Sequence, residues 1–218
     1  MRIISVDQRS DEWRAFREEK ISGTKIGELF HKSRKTGEIF DTEKPNLMLY
    51  EILAERLTVG AQDGVDEKSA MERGVELESE AVEKAVESLE LKKYTTSNVW
   101  QDEENPNYIC SPDAYEKSKK PAWAIEVKCL SSANHIKAVV EGQYPQKYMP
   151  QAINYFLVNP DLKTLYFVMY DPRFVVEKLQ LKIFVIERRD VEYEIARLAD
   201  VRDEAERQIN TLIQELIR

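Results

Sequence analysis

The chain has 218 residues, 42% hydrophobic and 33% charged, a composition that excludes a disordered or fibrous protein and predicts one domain over residues 1–218. No apolar run reaches the ~18–20 residues of a membrane helix, and two cysteines, Cys110 and Cys129, are too few for a disulfide framework, so a reducing, cytoplasmic setting is expected. The formal net charge of −8 weighs against a polyanionic partner only until its distribution is read: residues 51–116 hold 6 Lys+Arg against 17 Asp+Glu, whereas residues 117–150 hold 6 against 2, which leaves room for a basic groove beside an acidic back.

The first residues run straight into charge, without a secretory apolar region. Residues 11–30 read as one or two helices anchored by Trp13, Phe16, Ile21, Ile26 and Leu29. A polar loop over 31–44 follows, then a helix over 46–57 opened by Pro45, then a loop over 58–67. Residues 68–90 predict a strong amphipathic helix with Met71, Val75, Val82, Val86 and Leu89 on one stripe and Ala85 beside it. The period then changes, and 94–100, 108–111 and 122–129 read as short strands. Residues 144–158 predict a helix, 165–170 and 174–186 a hairpin turned at Asp171-Pro172-Arg173, and 190–218 a long helix with Asp190 as N-cap. This order gives an α/β (α+β) domain with a central mixed sheet flanked by helices.

The chemistry is concentrated in the strand over 122–129. Alternation sends Trp123, Ile125 and Val127 to one face and Ala124, Glu126 and Lys128 to the other. An acid and a lysine therefore project side by side, and Ser111-Pro112-Asp113 closes the preceding strand. Asp113, Glu126 and the carbonyl of Val127 make an all-oxygen donor set suited to Mg²⁺, with Lys128 beside it to orient a metal-bound water or help deprotonate it. A plain surface Glu–Lys pair is the competing reading. Glu78 falls inside the apolar stripe of its helix, at about 100° per residue, while Glu72, Glu76, Glu80, Glu83 and Glu87 lie on the remaining arc. A carboxylate there needs a partner or a metal, unless it sits at the stripe's edge and reaches water.

In order and spacing, several blocks together resemble the lambda exonuclease (YqaJ-like, alkaline exonuclease) family of phage recombination nucleases, within the PD-(D/E)xK superfamily. They are Asp11-Glu12-Trp13 with Arg17 and Ile21-Ser22-Gly23-Thr24; Arg73-Gly74-Val75-Glu76-Leu77-Glu78; Cys110-Ser111-Pro112-Asp113; Ile125-Glu126-Val127-Lys128-Cys129; Tyr148-Met149-Pro150-Gln151; and Tyr170-Asp171-Pro172-Arg173. The resemblance implies a restriction-endonuclease-like core and Mg²⁺-dependent 5′→3′ digestion of one strand of linear double-stranded DNA, with Mn²⁺ as a substitute metal. It also implies a 3′ overhang, a ring-shaped homotrimer and a single-strand annealing protein as partner. By position it implies that Asp113, Glu126, Val127 and Glu78 serve the metal and Lys128 the attacking water. Arg17, Ser22, Thr24, Ser111, Gln151 and Tyr155 would meet the DNA or its 5′-phosphate, and Arg34 the duplex near the site.

Two positions depart from the pattern. Ala114 stands where the family often has Gly, and Ile153 stands where lambda-like members carry a second glutamine, so one 5′-phosphate contact has no matching side chain. Gln151 and Tyr155 instead have the Gln-x-x-x-Tyr spacing of RecB-type nucleases, on one helix face. For Arg17 the alternative is a solvated helix residue bridging Glu12 or Glu18, and for Thr24 and Ser111 a cap or turn hydroxyl. Cys110, Cys129, His31 and His135 lack finger-like spacing, and no G-x-x-x-x-G-K loop is present, so zinc and ATP are not expected. Lys117, Lys119 and Lys120 suit either a solvated turn or a DNA backbone contact. The C-terminal helix carries Val191, Ile195, Leu198, Ala205, Ile209, Leu212 and Leu216 at spacing that serves its own domain or a subunit seam. Two rival readings stand beside the exonuclease: an endonuclease or structure-specific nuclease on the same core, and an inert DNA-end-binding scaffold.

Overall fold

The computed structural model describes residues 1–17, 20–27, 68–130, 132–174 and 176–217, with only the backbone of 68–74 and 132–133. The loops and helix expected over 31–67, with His31 and Arg34, lie outside the described residues. In chain order the elements are β1 (Arg2–Ser5), α1 (Asp11–Arg17), α2 (Gly23–Ile26), α3 (Lys68–Ser88), β2 (Tyr94–Thr95), β3 (Asn98–Gln101), β4 (Ile109–Cys110), β5 (Ala114–Glu116), β6 (Trp123–Lys128), α4 (Ser132–Glu141), α5 (Met149–Val158), β7 (Thr164–Tyr170), β8 (Leu181–Glu187) and α6 (Glu192–Leu216).

Five strands form a mixed sheet in the order β2-β5-β6-β7-β8. β6 runs parallel to β7, with Glu126 opposite Phe167, and the other pairs are antiparallel. A parallel pair needs a crossover, and α4 with α5 supplies it. A second sheet, β1-β3-β4, is antiparallel throughout.

Strand β6 is buried on both faces, as its near-continuous apolar run requires. Ile125 and Val127 pack under Ala81, Val82 and Ala85 of α3. Ala124 joins Trp100, Tyr155, Phe156 and Phe167 on the side of α5. Leu198, Ala205 and Ile209 of α6 bury against Ile21, Ile26, Tyr108 and Ile153, so this helix packs on its own chain along most of its length, while Leu216 is exposed. No helix among the described residues is long and apolar enough to cross a membrane.

Several expected boundaries move. β1, β5 and α4 are additional elements; the first two are short and depend on strand pairing, which a local pattern does not carry. The strand expected over 94–100 is two strands in different sheets, because Ser97 turns the chain at φ 63°. Ile21 makes a parallel bridge to Tyr108 instead of extending a helix. Val75 is exposed, and the buried face of α3 centres on Ala81, Val82 and Ala85. The helix expected from residue 144 begins at Met149, after a 3-10 turn over Gln146–Tyr148. The β7–β8 connection is longer than a tight turn: Arg173 clamps Asp171 at 2.7 and 2.8 Å, and a 3-10 turn over Glu177–Leu179 delays β8 to Leu181. Asp190 is not the N-cap of α6. It ends a 3-10 turn, and Val191 occupies the cap position without a side-chain bond.

Candidate active site

Asp113 stands one residue ahead of β5, where the strand has not yet closed on β6. Its N–H donates to the Ile125 carbonyl at 3.0 Å, and its Oδ2 accepts the Val127 N–H at 2.6 Å. The carboxylate thus takes the place of a neighbouring strand. Because a residue's N–H and C=O leave a strand on the same side, the Val127 carbonyl faces the side of the Asp113 carboxylate.

Glu126 projects to the opposite face from Val127 and is 3% exposed. Burial of a carboxylate at this depth demands donors. Gln151 supplies Nε2 to Oε1 at 2.5 Å, Lys128 Nζ reaches the same oxygen, and the Tyr155 hydroxyl meets Oε2. Gln151 and Tyr155 lie one turn apart on α5, which carries both to one carboxylate. The Tyr155 hydroxyl is also 3.0 Å from the Ser111 carbonyl. Glu78 enters from α3 and is held by Arg9, Nη2 to Oε2 at 2.5 Å.

Arg17 closes the other end. Its guanidinium lies 4.5 Å from the Trp13 ring centroid and donates to Ser111 Oγ at 3.2 Å and to Thr24 Oγ1 at 3.1 Å. Ser22 sits behind it, with Oγ 2.9 Å from Thr24 Oγ1 and accepting the Lys25 N–H as the cap of α2. Gly23 brings that turn against α5, since a Cβ there would stand 3.3 Å from Gln151 Cγ.

One cleft of about 160 Å³ collects these groups: Arg17, Thr24 and Ser111 line it together with Glu78, Asp113, Glu126, Lys128, Gln151 and Tyr155. Ser22 adjoins it through Thr24, and Val127 through its N–H on Asp113. Gln8, Arg9 and Trp13 also line it. Trp13 reads from the sequence only as an apolar anchor, and nothing in the local pattern singles out Gln8 or Arg9.

The electrostatics follow from three carboxylates sharing a partly dry space. Burial, then Glu126 and Glu78, push the Asp113 carboxyl well above the usual carboxylate range. Burial also raises Glu78, which Arg9 opposes and Glu126 reinforces. Burial lowers the Lys128 amine, but Glu126 and Asp113 more than offset it, so Lys128 is a charged donor. Among the described residues no three acidic side chains form a ready-made cation cage, because Glu126 and Glu78 are each turned to protein donors. The donor chemistry nevertheless fits a hard divalent cation: the Asp113 carboxylate and Val127 carbonyl face one side, two further carboxylates line the same cleft, and extra positive charge relieves their mutual repulsion. Arg17 adds what an anion requires, a partly buried cation whose described hydrogen bonds go to neutral hydroxyls.

The sequence profile of the YqaJ-like viral recombinase domain matches residues 12–159, which contain Arg17, Glu78, Asp113, Glu126, Lys128, Gln151 and Tyr155. Among solved structures, an alkaline exonuclease from Laribacter hongkongensis is similar at 23% identity and a TM-score of 0.73, over 95% of this chain and 98% of that one. The same enzyme in complex with dAMP gives 23% identity and a TM-score of 0.72 over the same shares. A phage-related exonuclease from Haemophilus somnus gives 18% and 0.56, over 90% and 96%. At these identities the likeness establishes the shared fold. No curated protein matches the sequence significantly.

Proposed function

The chain belongs to the YqaJ-like viral recombinase domain family, and from that premise we propose that it is a Mg²⁺-dependent 5′→3′ exonuclease. It digests one strand of linear double-stranded DNA from 5′-phosphorylated ends and leaves 3′ single-stranded overhangs for phage-type recombination. The observation that carries this reading is the one cleft whose lining joins Arg17, Thr24 and Ser111 to Glu78, Asp113, Glu126 and Lys128. A site that releases one nucleotide at a time needs an anchor for the terminal phosphate and, beside it, machinery for the next phosphodiester.

Asp113, Glu126 and the Val127 carbonyl hold the metal, and Glu78 supports it from α3. When bound, Mg²⁺ supplies Lewis-acid polarisation of the scissile phosphate and lowers the pKa of a bound water. Lys128, charged and fixed on Glu126, orients the attacking water. Gln151 and Tyr155 keep Glu126 in place. Arg17, with the Thr24 and Ser111 hydroxyls, receives the 5′-phosphate, because a guanidinium fork suits phosphate oxygens; Ser22 steadies Thr24. Arg34 meets the duplex near the site. The same reading includes Mn²⁺ as a substitute metal, a homotrimer, and a single-strand annealing protein as partner.

The test is a time course on linear duplex DNA labelled at either end, with and without Mg²⁺, beside a closed circular duplex. The 5′ label is expected to leave first, as mononucleotide and only with Mg²⁺, while circles stay intact. Nicked circles would point to an endonuclease. End binding without any hydrolysis would point to a scaffold.

A further inference from the structure

Arg9 carries a side chain into the cleft from a backbone position that ordinary residues avoid. Its φ is 70°, in the left-handed region that favours glycine. Such a conformation persists where the surroundings fix it, and it is found disproportionately at working sites. Here β1 pairs with β3, the Gln8 side chain donates to the Pro112 carbonyl at 3.2 Å, and Ser10 starts α1 by accepting the Trp13 N–H at 3.0 Å. The turn is therefore tied to the segment that carries Asp113, and Arg9 is aimed at Glu78.

The Arg9–Glu78 pair is close but not sealed. The side chains are 38% and 24% exposed, so water screens the pair and weakens it. Both residues line two clefts at once. A second space of about 370 Å³ shares Arg9, Glu78 and Asp113 with the first and adds Ser79, Glu83, Thr96 and Ser97. Arg9 is the one cationic side chain among the described residues that line it, so a strand continuing there from the first cleft would have Arg9 as its phosphate partner.

Glu78 also stands near Asp113 and Glu126, which repel its charge. Among the described residues Arg9 is its ion-pair partner, with the Lys128 charge a weaker attraction, and it lies where the proposed metal would provide a further cation. We propose that Arg9 and a divalent cation are alternative counter-ions of Glu78, and that Arg9, once released, binds a phosphate of the DNA strand in the second cleft. This rests on the nuclease reading. It gives Arg9 a positioning role toward Glu78 before the cation arrives and a substrate contact afterwards. The exchange keeps Glu78 neutralised in both states, and it adds a phosphate ligand only when the site is loaded.

The experiment uses the full chain. Mn²⁺ is titrated calorimetrically without DNA into the wild type, Arg9→Gln and Arg9→Lys. Losing the competing cation should tighten Mn²⁺ binding in Arg9→Gln by roughly 5- to 10-fold, with Arg9→Lys closer to wild type. Binding of a 5′-phosphorylated duplex is then measured against salt in a Lys128→Ala background with Mg²⁺. Arg9→Gln should lower the slope of log affinity against log salt by about 1, the signature of one lost phosphate contact. Both shifts are required, and the absence of either overturns the proposal. If Arg9→Gln does not fold, Arg9→Gly carries the same test, since it deletes the cation and suits the φ of 70° at this position. A wild type that binds no divalent cation and cleaves no DNA would instead defeat the nuclease reading itself. A wild type that does both, with unmoved Arg9 variants, removes only the exchange.

Discussion

Gln151 holds Glu126 through a 2.5 Å hydrogen bond from Nε2 to Oε1, at a carboxylate only 3% exposed. Without that donor Lys128 is the remaining partner of Oε1, and the orientation of the carboxyl group loosens. Partners that orient a proposed metal ligand typically matter by one to two orders of magnitude. Gln151→Leu is therefore expected to lower the rate of nucleotide release by roughly 10- to 100-fold. It is also expected to destabilise the fold by about 1.5–3 kcal/mol, the usual worth of a hydrogen bond to a charged group. Steady-state rates on a phosphorylated duplex and a denaturant melt read the two effects. An unchanged rate would remove Gln151 from the site.

Lys128 sits in an acidic cleft as a protonated amine, fixed on Glu126 and 5.3 Å from the Tyr148 ring centroid. Lys128→Met keeps the aliphatic stem and deletes the charge. Mg²⁺-dependent nucleotide release should fall by roughly 10²- to 10⁴-fold, the range seen when a positioned proton-handling group is removed. Binding to DNA ends, measured by a gel-shift assay, should survive, because Arg17 and its hydroxyls are untouched. Wild-type activity in this variant would refute the proposed chemistry.

Arg17 has given up part of its hydration for two neutral hydroxyls, and burial lowers its pKa. A terminal phosphate would restore the balance. Arg17→Gln should therefore erase a preference for 5′-phosphorylated over 5′-hydroxyl ends that is expected to reach roughly 10- to 100-fold, the worth of a charge-assisted bidentate contact. Thr24→Ala should erode the same preference less. Competition between the two substrates in one tube reads it directly. If Arg17→Gln still discriminates, the phosphate sits elsewhere.

The parts of the fold legible in the sequence were those with long or regular patterns. The helix over Lys68–Ser88 and the strand over Trp123–Lys128 match their expected positions closely, because periodicity and alternation are properties of the segment itself. The alternation also put Glu126 and Lys128 together, and the structure agrees. Asp113 and Glu78 do line the same cleft, but each is engaged by a group that no pattern names: the Val127 N–H for one, Arg9 for the other. Such partners come from distant turns. β1 and β5 were missed for the same reason, as four- and three-residue strands exist only through what they pair with. The Asp190 cap failed because the chain inserts a 3-10 turn there before the helix begins at Glu192.

His135 of α4 offers a test of stability against pH, away from the cleft. It is fully buried beside the Phe174 ring and 2.8 Å from the Leu179 carbonyl. A carbonyl only accepts, so Nε2 carries the proton, and Nδ1 is left buried without a hydrogen-bond partner among the described residues. Protonating Nδ1 means placing charge in that dry space. Burial lowers the folded-state pKa below the ordinary 6.5, against smaller upward contributions from the Leu179 bond and Asp171. The unfolded chain then binds the proton first as pH falls. The stability tied to neutral His135 is complete above about 6.5 and is lost progressively below it. His135→Phe keeps a ring against Phe174 and cannot titrate, at the cost of the bond to Leu179, about 1 kcal/mol. The wild type should be the more stable protein at pH 8, and its advantage should shrink or reverse at pH 5. Groups common to both proteins cancel in that difference. A constant gap between the two denaturant melts across this range would mean that His135 does not titrate with folding.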